Sequence, residues 1–214
     1  RPIYFYTVLE AEDWRKGGLS FLLITNWLLA LAVSIVIFAV QYYPIGGTLL
    51  EKVAPQRTFI ALPVLFVLGA VFFFITLFIS AGLFVAGMLC GFVVLAYLLH
   101  LIYSQLGGKG EINRMLQQIN YSSAALLPVL LIFVLMIITK YFGMSFSLFR
   151  AGSNTILCLL VLYMYGLWAI AGRKVYGISK SRAFIGALVP VLILLLFVFL
   201  FDKIGFSRLQ PWIS

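Results

Sequence analysis

Asp, Glu, Lys and Arg are missing from five long stretches of this chain: between Lys16 and Glu51, Arg57 and Lys109, Arg114 and Lys140, Arg150 and Arg173, and Arg182 and Asp202. The shortest, 183–201, still holds 19 residues. About 20 helical residues cross the roughly 30 Å hydrocarbon core of a bilayer, so each stretch is long enough to span one. Composition agrees: 64% of residues are hydrophobic and 10% charged, with a mean hydropathy of +1.15, whereas soluble domains carry about 25% charged residues. A water-soluble globular fold is excluded. Lipid admits only helices or closed barrels, and unbroken apolar runs lack the alternation of barrel strands. The sequence therefore predicts an all-α fold, a polytopic transmembrane helical bundle of five to six spans with amphipathic interfacial helices, forming a single integral membrane domain over 1–214.

The run from Thr58 to Gly108 has 51 residues and as one helix would reach about 76 Å. A fold-back is expected at Ser80-Ala81-Gly82, where small residues and a glycine weaken a helix. The spans are then about 19–43, 59–79, 82–106, 122–140, 153–172 and 183–201. Pro63, Pro128 and Pro190 fall inside three of them and should kink their helices. Gly87 and Gly91 form a G-x-x-x-G that, with Ala86 and Cys90, suits close helix packing.

Two segments read as interfacial. In Glu111–Tyr121 the apolar Ile112, Met115, Leu116 and Ile119 face away from Asn113, Arg114, Gln117 and Gln118, so this stretch lies on the membrane surface or feeds the next span. Residues 1–17 form the other, with Phe5, Val8 and Leu9 on one face and Trp14, Arg15 and Lys16 at headgroup depth. The net charge of +9 follows from the positive-inside bias rather than from nucleic-acid binding. Six crossings divide Lys and Arg eight to seven, five crossings nine to six. Either way the loops 107–121 and 173–182 are cytoplasmic and the carboxyl terminus is outside.

Catalysis needs converging acids, bases, nucleophiles or metal ligands. With one histidine, His100, and the isolated Cys90 and Cys158, no enzyme activity, metal site or cofactor is expected. Gly107-Gly108-Lys109-Gly110 lacks the Lys-Ser/Thr ending of a phosphate loop, and reads as a helix stop with a surface charge. Arg173, Lys174, Lys180 and Arg182 place four cations and no anion in a ten-residue loop, suited to anionic lipid or an acidic partner at about 1 kcal/mol per charge. Ser181 stands where it can cap the last span.

Several of these features occur in a family-like order. A span ends in His100-Leu101, followed by the turn Gly107-Gly108-Lys109-Gly110, an amphipathic stretch, and the entry Tyr121-Ser122-Ser123-Ala124-Ala125. Another span ends in Gly172-Arg173-Lys174-Val175-Tyr176, followed by Gly177-Ile178-Ser179 and then Arg182-Ala183. In this order the sequence resembles the Ypt/Rab-interacting protein family (the Yip domain), especially its prokaryotic members. Ala125 stands where that pattern commonly has proline, and Tyr176 where histidine is frequent. The resemblance implies a non-enzymatic multi-pass protein of a prokaryotic cytoplasmic membrane, acting as scaffold or accessory subunit in membrane trafficking, membrane organisation or an export complex. It implies membrane lipids, other membrane proteins or a second copy as partners; eukaryotic relatives serve vesicle traffic through Rab-type GTPases, but GTPase binding is not expected behind so short an amino-terminal segment. The prolines and His100 motivate a second reading as a transporter, channel or lipid-handling protein.

Overall fold

The computed structural model describes residues 13–213, so the reading of Phe5, Val8 and Leu9 lies outside the described residues. Helices α1 (Gly17–Ile37) and α2 (Tyr43–Glu51) are joined by a π-helical turn, Phe38–Tyr42. After a short 3-10 turn, Pro55–Arg57, follow α3 (Thr58–Gln105), α4 (Ile112–Tyr121), α5 (Val129–Phe142), α6 (Phe146–Tyr176), α7 (Lys180–Leu200) and α8 (Phe206–Ile213). A second π turn, Phe201–Gly205, links α7 to α8. Among the described residues there is no strand, and five continuous helical stretches are long and apolar enough to cross a membrane: Gly17–Glu51, Thr58–Gln105, Ile112–Phe142, Phe146–Tyr176 and Lys180–Ile213.

The expected fold-back at Ser80-Ala81-Gly82 does not occur, and the six-span reading gives way to five. Helix α3 runs through it for 48 residues, about 72 Å. A glycine costs a helix only about 1 kcal/mol, and no proline interrupts the ladder at that point. Ser80 and Ala81 are instead buried, on a helix whose main neighbour is α1. The half of α3 before them exposes Phe59, Ile60, Phe66 and Phe78.

The proline at position 44 accounts for the first π turn. Pro44 has no N–H and its ring crowds the carbonyl four residues back, so the chain widens: the Tyr43 N–H reaches the Phe38 carbonyl, one residue beyond the α-helical partner. The next bond of that ladder would need an N–H from Pro44, and the Ala39 carbonyl instead accepts from the Tyr141 hydroxyl on α5. In lipid an unfilled carbonyl is costly, so the proline and the tyrosine form a matched pair.

The amphipathic stretch feeds the next span. Helix α4 packs against α1, α3 and α6, and Met115 through Asn120 are all buried, while Asn113 and Arg114 stay exposed. Ser122–Leu126 makes a 3-10 turn into α5, whose amino end is Pro128, so that proline sits at a helix start rather than inside one. Ser122 donates to the Ile119 carbonyl at 2.6 Å and lies 3.4 Å from the Trp168 indole N–H. Trp168, Leu99, Tyr103, Met115 and Ile119 belong to the larger core cluster; Val36, Val40, Ile132, Phe149 and Phe206 form a second one near the π turns.

Candidate functional site

Most of the motif residues separated along the chain meet at one end of the bundle, where α3, α6 and α7 converge. Helix α3 stops in a Schellman arrangement: Gly107 takes φ +88, its N–H donates to the Ser104 carbonyl at 3.1 Å, and the Gly108 N–H donates to the Tyr103 carbonyl at 3.0 Å. Helix α6 stops in the simpler left-handed way, with Gly177 at φ +65 and its N–H on the Arg173 carbonyl at 3.1 Å. Basic residues in that last turn, Arg173 and Lys174, complement the negative end of the helix dipole.

The two stops are stitched to each other. The Lys109 N–H donates to the Tyr176 carbonyl at 3.3 Å. A Cβ on Gly108 would sit 2.5 Å from the Tyr176 Cβ, and one on Gly110 would sit 2.7 Å from the Val175 carbonyl. The glycines of this turn are therefore needed for close approach of the α6 end, in addition to the helix stop expected from the sequence. Arg182 completes the stitch by donating from Nη1 to the Leu106 carbonyl at 3.2 Å.

Tyr103 lies at the centre with no exposed surface. Its hydroxyl donates towards the Trp168 carbonyl at 3.0 Å and the Ala183 carbonyl at 3.3 Å, joining α3 to both α6 and α7. Its ring fills the gap between Gly172 and Gly186, where an added Cβ at either position would fall under 3.0 Å from it. His100, one turn earlier, shares a hydrogen bond between Nδ1 and the Tyr176 hydroxyl. The Tyr176 ring lies 5.6 Å from the His100 ring and 5.5 Å from the Tyr103 ring.

Helix α7 begins with Ser179, whose Oγ accepts from the Arg182 N–H at 3.5 Å while its carbonyl accepts from the Ala183 N–H at 3.0 Å. Ser179, rather than Ser181, is thus the cap. All four cations expected to meet lipid or a partner, Arg173, Lys174, Lys180 and Arg182, are exposed, and Arg182 is in addition tied to the end of α3. Lys109 is exposed beside them. Tyr121 stands apart, its ring 5.2 Å from Phe21. Gly87 and Gly91 are exposed on α3 with nothing within 4 Å of an added Cβ, so no other helix of the chain packs closely on them.

The sequence reading missed two constellations. Tyr103 reads in the sequence only as an aromatic at a membrane boundary, and its packing role is invisible there because Gly172 and Gly186 look like ordinary small residues of separate spans. At the opposite end Asp202 accepts at Oδ1 from Arg150 Nε and Asn154 Nδ2, both at 2.7 Å; the only signal was that Arg150 and Asp202 are the charges bounding two runs. Among the described residues no group of three or more His, Cys, Asp or Glu side chains is gathered in one place. The Tyr103 junction can therefore hold three helices in register and present cations on a fixed frame. The family model of the Yip1 domain matches residues 4–201. No curated protein and no solved structure matches the chain.

Proposed function

The chain belongs to the Yip1 domain family and is an integral multi-pass membrane protein, and from that premise we propose that it is a non-enzymatic scaffold or accessory subunit of a prokaryotic cytoplasmic membrane. The observation that carries this reading is the use made of the junction's polar side chains. His100 is bonded to Tyr176, the Tyr103 hydroxyl to two carbonyls, and Arg182 to the end of α3. These groups hold helices, and the exposed cations beside them without such a bond are Lys109, Arg173, Lys174 and Lys180. A rigid cationic end of this kind suits an acidic segment of another membrane protein. The positive-inside rule favours a cytoplasmic position for it, since five crossings give that side nine Lys and Arg against six.

The test is quantitative recovery of a stoichiometric membrane partner from mild detergent. Replacing Arg173, Lys174 and Lys180 together by glutamine should remove the partner and leave the protein's own thermal unfolding unchanged. Retention of the partner by the triple variant, or a wild-type chain that stays partner-free, would count against the scaffold reading.

A further inference from the structure

Two apolar clefts lie side by side in the bundle and share part of their walls. The first, about 630 Å³, lies between α1 with its π turn, α5, and the chain leading into α8. The second, about 380 Å³, lies among α3, α5, α6 and α7. Val129 and Leu157 line both. Ligand sites fall in a range of about 300–1,000 Å³.

Charge is distributed unevenly between them. The second cleft has no charged side chain in its wall, while the first carries Gln41, Arg208 and Trp212. Among the described residues Arg208 has no carboxylate partner: Asp202 pairs with Arg150 and Lys203. The second cleft is flanked by Val94, Ile193 and Phe197, all exposed on the outer surface of the bundle, so its opening faces the hydrocarbon. From Arg150, held at the level of Asp202, to Leu157 the α6 wall advances about 10 Å, within the roughly 15 Å depth of one leaflet's hydrocarbon.

We propose that the paired clefts hold one anionic phospholipid of the surrounding bilayer. Its phosphate lies against the Arg208 guanidinium, with the Trp212 indole at headgroup depth. An acyl chain runs past Val36 and Val40, through the neck at Val129 and Leu157, into the second cleft. Its headgroup end at Arg208 is separate from the exposed cations of the junction, and the site does not rest on the scaffold reading.

The experiment is native mass spectrometry of the full chain in mild detergent, titrated with phosphatidylglycerol or with phosphatidylcholine of the same chain length. One phosphatidylglycerol should bind per chain, about tenfold more tightly than phosphatidylcholine, and Arg208→Gln should abolish that preference. Lys203→Gln, which removes a nearby cation outside the cleft wall, should leave it intact. Leu157→Trp, or Val129→Phe if the first does not fold, should weaken long-chain lipid and spare a short-chain phosphatidylglycerol. Equal retention of the two lipids, equal effects of the Arg208 and Lys203 changes, or long-chain binding indifferent to both neck variants would overturn the site.

Discussion

Tyr103 shows how much a single side chain can fix in a membrane bundle. Apolar burial gives helices little drive to associate in lipid, and close packing with interhelical hydrogen bonds takes over. Tyr103 supplies both, through a ring between Gly172 and Gly186 and a hydroxyl on the carbonyls of Trp168 and Ala183. Gly172→Ala or Gly186→Ala should therefore destabilise the protein by about 1–3 kcal/mol, read as an earlier midpoint in detergent-to-SDS unfolding. Gly87→Ala provides the contrast: nothing lies within 4 Å of its added Cβ, so the change should be neutral or stabilising by up to about 1 kcal/mol. Equal shifts for the inner and outer glycines would refute the pin. At this scale the sequence was half legible. Gly107 follows an apolar run and reads as a stop, and it has positive φ, as does Gly177 at the end of α6. The glycines that seat Tyr103 lie 69 and 83 residues from it, and a one-dimensional pattern contains no mark of what faces them.

Elements were legible where the cause is local and opaque where it is tertiary. Charge-free length identified the apolar spans, but small residues at Ser80-Ala81-Gly82 were given more weight as a break than they carry against packing on α1. The polar residues of α4 read as a solvent face, yet Gln117, Gln118 and Asn120 are buried, because α1, α3 and α6 close around the helix. The π turn after α1 had a local cause in Pro44, while its compensation came from Tyr141 on another helix. That pairing makes a double-mutant test possible. Tyr141→Phe should cost about 1 kcal/mol by leaving the Ala39 carbonyl without its donor. Pro44→Ala restores a backbone N–H for that carbonyl, and in its background Tyr141→Phe should cost close to nothing. Additive effects in SDS unfolding would show that the hydroxyl does not replace the proline's missing donor.

For the whole molecule, charge and span number have to be read together. The six-span reading divided the cations almost evenly, and only the continuity of α3 gives the charge rule a clear preference. Five crossings put the 52–57 turn on the same side as the carboxyl terminus, with the turns at 107–111 and 177–179 on the other. Six crossings would move the 52–57 turn to the side of Lys109. Single cysteines at Lys52, Lys109, Lys174 and Lys203, in a chain with Cys90→Ala and Cys158→Ala, separate these arrangements, since Cys90 and Cys158 are themselves exposed on the bundle. With a membrane-impermeant maleimide on intact cells, Lys52→Cys and Lys203→Cys should label, and Lys109→Cys and Lys174→Cys should label only after permeabilisation. Labelling of position 203 with protection of position 52 would mean that the chain folds back within α3 in the membrane. Protection of 52 and 203 with labelling of 109 and 174 would keep the five-crossing fold but turn the basic junction outward, away from the cytoplasmic partner proposed for it.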